Sequence, residues 1–256
     1  MWTSKIDRAK HLKKELEHAL HVFFASQPYK IDTKTDVQSK RLIYYVTKAD
    51  PVPEEIALMT GDIIQNLRSA LDHLAYKLFT LGSSNGTSGS HIYFSIADDF
   101  AEYERDKGRK TRGIAQQAKD VIDTIRPYHG GNDTLWKIHK LNIIDKHRLL
   151  VAVGSAYSSM DIGAYALESF KRTFPDMAIP PMPFFMKPAD NLFPLKAGDE
   201  LFSDLPYAKP IPNLQFKFDI VIHEPGIAEG EPLVEMQQAM IDSVNSLIPI
   251  FEPFMA

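Results

Sequence analysis

Residues 53–81, PEEIALMTGDIIQNLRSALDHLAYKLFTL, are the stretch that decides the fold. Large apolar residues recur at helical spacing over its whole length, and the opening proline and glutamates suit the first turn of a helix. At 1.5 Å per residue such a helix is about 40 Å long. Other elements must cover its apolar face, so the stretch predicts a central helix. That face comprises Ile56, Ile63, Leu67, Leu71, Leu74, Leu78 and Leu81.

A second long helix is predicted from about Thr134 to Val153. Apolar residues lie on most of its sides, which is typical of a helix in the centre of a domain. Asn142 and Asp145 fall on the apolar stripe. A buried carboxylate must be paired or protonated. We therefore expect Asp145 to be buried and bonded to a basic or hydroxyl partner. The expected structural network comprises Asn142, Asp145, His147 and Arg148, with Arg68 and His73 as further candidate partners.

The remaining chain predicts both helices and strands. Alternating and β-branched residues indicate strand-rich parts at about 28–48 and 184–223, and a short strand at 91–96. The helical parts are expected at about 1–27, 50–157 and 232–256. Strands do not alternate regularly with helices, which disfavours a doubly wound parallel sheet. We expect one α+β domain over 1–256, a helical bundle with two long central helices packed beside a small, mostly antiparallel sheet.

Composition narrows the classes of function. The chain has 256 residues, 44% of them hydrophobic, so it can bury a substantial core. Its net charge of −4 gives no general basic bias for nucleic-acid binding. The absence of cysteine excludes disulfides, zinc–thiolate sites and cysteine nucleophiles. No apolar run is long enough for a membrane span or a signal core, so we expect a cytoplasmic protein without a membrane partner. No motif indicates a metal or a cofactor, and we expect neither.

The face of the 53–81 helix opposite its apolar stripe is polar, with no lysine between Asp62 and Tyr76. One interpretation is a solvated face on which Arg68 and Asp72 form an ion pair one turn apart. The amide, hydroxyl and imidazole side chains, however, also suit a partly buried hydrogen-bond network. That composition favours a partner surface or the wall of a cleft. The candidate binding residues on it are Asn66, Ser69 and Tyr76.

The segment Arg68-Ser-Ala-Leu-Asp-His73 has R-x4-H spacing and resembles the motif of HEPN domains. These domains are helical bundles, and many of them are metal-independent ribonucleases. The stretch from Gly61 to Tyr76 also resembles a group of uncharacterised bacterial proteins, which share segments like Arg126-Pro-Tyr128 and Asp145 to Arg148. Two features depart from HEPN domains: a serine directly follows the arginine, and the strand-rich parts have no counterpart in a minimal bundle.

The resemblance implies a catalytic role for three residues. His73 would act as a general base or acid on RNA, and Arg68 would stabilise the charge that develops on the phosphate. Asp72 would orient His73 or pair with Arg68. The family's site is usually composite, so the resemblance also implies RNA as a partner and a homodimer.

Two other functions stay open. The protein could be a non-catalytic interaction or dimerisation module in which the charged residues are structural. It could also bind a small molecule between bundle and sheet, because the aromatic and proline-rich residues of 174–213 suit a pocket. An opening around Phe184, Phe185 and Phe193 would favour that function. The basic run from Lys107 to Arg112 is predicted to be an exposed loop that could contact phosphates.

Overall fold

The computed structural model of the chain describes residues 2–83, 89–148, 153–161, 163, 185–186, 193–211 and 214–255. The fold is mixed, with helices and two antiparallel sheets. In chain order the elements are α1 (Trp2–Ala25), β1 (Tyr29–Thr35), β2 (Arg41–Ala49), α2 (Glu54–Gly82), α3 (Phe100–Lys110), α4 (Gln116–Ile125), α5 (Asp133–Arg148), β3 (Val153–Asp161), β4 (Phe185–Met186), β5 (Glu200–Pro206), β6 (Gln215–Glu224), β7 (Ala228–Pro232), α6 (Leu233–Asn245) and α7 (Leu247–Phe251), with a short 3-10 helix at Glu252–Phe254.

Helix α2 is the centre of the helical part. Helices α1, α5 and α6 all pack against it. Its predicted apolar face is buried from Ile56 to Leu78, and only the last member, Leu81, is exposed, at 44%. The 3.6-residue periodicity of the sequence therefore placed the core face of this helix correctly.

The strands form two antiparallel sheets, with strand orders β1-β2-β5 and β4-β3-β6-β7. Side chains of strand β6 contribute to two separate apolar clusters. Phe216 and Phe218 pack in the cluster between the two sheets, whereas Ile220 and Ile222 belong to the core that the helices form. Because these alternate residues share one face of the strand, Asp219, Val221 and His223 lie on the opposite face.

The second predicted helix is too long. The described part of α5 is Asp133–Arg148, and Val153, the last residue of the predicted helix, begins β3, which pairs with β6. The expected helical part at 50–157 therefore includes the first residues of a strand. A short apolar run fits either a helix or a strand, and pairing with β6 decides between them. Among the described residues the two longest helices are α2, with 29 residues, and α1, with 24.

Two local predictions are also wrong. The stretch 91–96 makes no strand ladder with the described residues, and the neighbouring Ala97 forms only an isolated bridge to Tyr128. The basic run that begins at Lys107 is not a loop, because Lys107–Lys110 form the last turn of α3, whose first turn Asp99 caps. Basic side chains are favourable at the C-terminal end of a helix, which explains their position. In the part of the chain that the structure describes, no helix has the length and apolarity to cross a membrane.

Candidate functional site

Arg68 and Asp72 form an ion pair one turn apart on α2. The Nη2 atom of Arg68 donates to Oδ1 of Asp72 over 2.7 Å and to the carbonyl oxygen of Phe94 over 3.0 Å. The same carboxylate oxygen accepts from the Phe94 amide over 3.1 Å. Burial raises the pKa of Asp72, and the Arg68 charge and the Phe94 amide oppose that rise. Together the two side chains bind both backbone groups of Phe94 and fix its segment against α2.

Several buried polar atoms lie near this pair. Arg68 is only 7% exposed, and its Nη1 atom has no hydrogen-bond partner among the described residues. The same holds for Oγ of Ser95, Nδ1 of His139 and Oδ1 of Asn142. Burial, followed by the positive charges of Arg68 and Lys110, lowers the pKa of His139 to about 3. The imidazole is therefore neutral at neutral pH.

His73 makes no hydrogen bond or ion pair with Arg68 in the described structure, although its charge acts on Asp72. It lines a separate cavity of about 420 Å³, which we call the helix cavity. The structure thus brings Arg68 and Asp72 together in a buried pair and places His73 on the wall of this cavity. The other lining residues of the helix cavity are Trp2, Thr3, Tyr76, Lys77, Thr80 and Met255.

The three candidate binding residues of α2 occupy different surroundings. Asn66 donates to the carbonyl oxygen of Asp62 over 2.8 Å and accepts from Lys5 over 3.4 Å. Ser69 is half-buried. Tyr76 is 49% exposed and belongs to the helix cavity. Of the three, only Tyr76 shares a cavity with His73.

The structure describes only part of the predicted network on α5, and among the described residues no salt bridge involves Asn142, Asp145 or His147. Asn142 is buried, Asp145 is half-buried and His147 is exposed, whereas the side chain of Arg148 lies outside the described residues. The Asp145 carboxylate lies against Gly61 of α2. No basic or hydroxyl partner bonds to it among the described residues, contrary to our expectation. Burial, and then the charge of Asp62, raises the pKa of Asp145.

A further cavity of about 420 Å³, the sheet cavity, lies on the face of β6 that turns away from the core. It opens beside Phe193, one of the residues that the small-molecule alternative named, whereas Phe184 and the side chain of Phe185 lie outside the described residues. The ring of Phe193 stacks on His223 with 4.3 Å between centroids and 24° between planes. The described lining residues are Ala156, Tyr157, Ser158, Phe193, Asp219, Val221, His223, Glu229, Gly230 and Pro232.

The sheet cavity is acidic. Within the described ranges its lining contains Asp219 and Glu229 but no lysine or arginine, and neither carboxylate has an ion-pair partner there. No hydrogen bond links Ser158, Asp219 and His223 into the relay that an activated serine nucleophile needs.

Most of this site is not apparent in any one segment of the sequence, because strand pairing assembles it from β3, β6 and β7. Ala156 of β3 lies opposite Asp219, and Glu229 of β7 lies opposite His223. One signal was present in the sequence. Residues 214–222 alternate strictly at first, which places Lys217 and Asp219 on one face of the strand, and Asp219 on that face lines the cavity.

No group of three or more metal-ligating side chains occurs within the described ranges. Comparison of the chain with protein-family models, with curated proteins and with solved structures finds no match.

Proposed function

We propose that the protein binds a small organic cation in the sheet cavity. The observation that carries this proposal is the stacked pair of Phe193 and His223 beside two carboxylates without ion-pair partners in the described structure. The proposal assigns the predicted small-molecule function to a particular cavity and to a positively charged ligand.

The size and the lining of the sheet cavity support this class of ligand. Its volume of about 420 Å³ lies within the range of small-molecule sites. An aromatic ring and an adjacent imidazole offer a flat surface against which a planar ligand can pack. Asp219 and Glu229 attract positive charge, and no cationic side chain of the lining competes for them.

The test compares three probes of similar shape and different charge: benzylammonium, benzyl alcohol and benzoate. We expect saturable binding of benzylammonium, about tenfold tighter than that of benzyl alcohol, which corresponds to about 1.4 kcal/mol. Benzoate should not bind this cavity, because the carboxylates repel it. Isothermal titration calorimetry measures the affinities, and amide chemical shifts of β6 and β7 locate the site.

Variants assign the effect to named groups. Asp219→Asn and Glu229→Gln should each weaken benzylammonium binding, and Phe193→Ala should weaken all probes that enter the cavity. Asp7→Asn, on the exposed side of α1, is the matched control because it removes the same charge elsewhere. Equal affinity for the cation and the alcohol, or equal losses in Asp219→Asn and Asp7→Asn, would contradict the proposal.

RNA cleavage through Arg68 and His73 stays a prediction from the HEPN resemblance, with RNA and a homodimer as its partners. Arg68→Ala is an unsuitable test, because Arg68 is buried and bonded to Asp72 and Phe94. His73→Ala is cleaner, since His73 lines a cavity. If the resemblance is functional, wild-type protein cleaves RNA without metal and His73→Ala does not. Equal activity of the two proteins would rule out the assigned role.

A further inference from the structure

The helix cavity gathers residues from both ends of the described chain around the C-terminal part of α2. His73, Tyr76, Lys77 and Thr80 follow the spacing i, i+3, i+4 and i+7, so they share one face of the helix. The first turn of α1 and the residues after the 3-10 helix at Glu252–Phe254 complete the walls. This cavity is therefore part of the packed structure and does not depend on a single loop.

The walls of the helix cavity are largely aromatic and apolar. Trp2 is buried, Met255 is half-buried, and Tyr76 is 49% exposed. Tyr76 also packs near Phe79, with 5.9 Å between ring centroids, which holds its ring in place. A ligand that enters must therefore have an apolar, preferably planar, body.

The polar groups of the helix cavity favour a negative ligand. Lys77 is exposed, and its ammonium group makes no ion pair or hydrogen bond with the described residues. His73 adds ring nitrogens and Thr3 adds a hydroxyl, which can donate hydrogen bonds, whereas the Thr80 hydroxyl donates to the carbonyl oxygen of Lys77 over 2.8 Å. Among the described residues of this lining there is no carboxylate side chain. Its charge is thus opposite to that of the sheet cavity.

We propose that the helix cavity is a binding site for a small aromatic carboxylate. The ring of such a ligand packs against Trp2 and Tyr76, and its carboxylate pairs with Lys77 in a charge-assisted hydrogen bond. This site is distinct from the sheet cavity, because the two share no lining residue and select opposite charges.

The chain contains two tryptophans, Trp2 and Trp136, which supply an internal reporter and an internal control. Trp2 lines the helix cavity, whereas the Trp136 indole donates to Asp98 over 3.0 Å elsewhere. In a titration with benzoate, the indole N–H signal of Trp2 should shift in a saturable manner and that of Trp136 should stay in place. Benzylammonium, which carries the wrong charge, should leave the Trp2 signal unchanged.

Substitution of the cation tests the charge contact. Lys77→Gln should weaken benzoate binding about tenfold, and Tyr76→Ala should weaken it further by removing a wall. Lys209→Gln, at an exposed lysine outside both cavities, is the matched control and should bind as wild type does. The proposal is overturned if benzoate shifts both indole signals linearly, if benzyl alcohol binds equally well, or if Lys77→Gln and Lys209→Gln lose equal affinity. Because benzoate and benzylammonium report on different cavities, this proposal and the proposed function can fail independently.

Discussion

The Arg68 guanidinium and the Asp72 carboxylate meet over 2.7 Å at Phe94, binding its carbonyl and its amide respectively. Neither a sheet nor a helix satisfies these two backbone groups, since the stretch 91–96 is in no ladder with the described residues. Buried backbone groups need partners, and here one ion pair supplies both. The pair therefore replaces the hydrogen bonds of the strand that the sequence predicts.

Loss of one member of this pair should be costly. In Arg68→Met, the buried part of the Asp72 carboxylate and the Phe94 carbonyl lose their partner, and we expect the free energy of unfolding to fall by about 3 kcal/mol. The double variant Arg68→Met/Asp72→Leu should lose less than the sum of the single changes. Urea denaturation measures the stability of Arg68→Met, Asp72→Leu and the double variant. Lys34→Met, which breaks the exposed pair with Glu200, is the control and should change stability by less than about 1 kcal/mol. Additive losses would show that the two residues do not act as a unit.

The contact between Gly61 and Asp145 predicts an unusual response to alanine. Alanine normally stabilises a helix relative to glycine by about 1 kcal/mol. At Gly61, however, the added methyl group would occupy the position of the Asp145 carboxylate, so we expect Gly61→Ala to destabilise by about 1–3 kcal/mol. Adding Asp145→Ala should restore the stability that Gly61→Ala loses. Gly108→Ala is the matched control, because nothing lies near that position of α3 and the protein should become more stable. Thermal unfolding distinguishes these outcomes, and stabilisation by Gly61→Ala alone would contradict the contact.

His139 should make stability sensitive to acid. An unfolded histidine takes up a proton near pH 6.5, whereas folded His139 stays neutral to about pH 3. The unfolded chain therefore binds more protons between these values, and the contribution of neutral His139 is lost as pH falls through this window. We expect His139→Gln to show a smaller loss of unfolding free energy between about pH 7 and about pH 4 than wild type. His11→Gln, at an exposed site, should keep the wild-type slope. The same slope in both variants would contradict the burial of a neutral imidazole.

Asp145 should make stability depend on pH in the opposite sense to His139. Burial and Asp62 raise its folded pKa above the ordinary value of 3.8, so the folded protein binds more protons between the two values. Its contribution to stability then falls as pH rises through this window. We expect Asp145→Asn to be more stable than wild type at neutral pH and the difference to vanish in acid. Urea unfolding at several pH values is the measurement, with Asp7→Asn as the exposed control. A loss of stability at neutral pH would indicate a partner that bonds the charged carboxylate.

Local sequence patterns predicted most of the described helices and the strands β1, β2 and β6. The apolar periodicity of 53–81 placed the buried face of α2 from Ile56 to Leu78, because that pattern depends only on helical geometry. Alternation over 214–222 likewise predicted β6 and separated its two faces. The pairing of Arg68 with Asp72 followed from their spacing of one helical turn.

Tertiary structure decided where each face lies and which residues meet across elements. Val153 begins a strand because β6 is available as its partner, and a short apolar run carries no signal of that partner. Asp145 lies against Gly61 instead of a basic residue, and the sheet cavity brings together residues from β3, β6 and β7. The sequence by itself therefore determined the periodic elements and their buried faces. Only packing between distant segments decided the cavities and their charge, because neither is a property of any one segment.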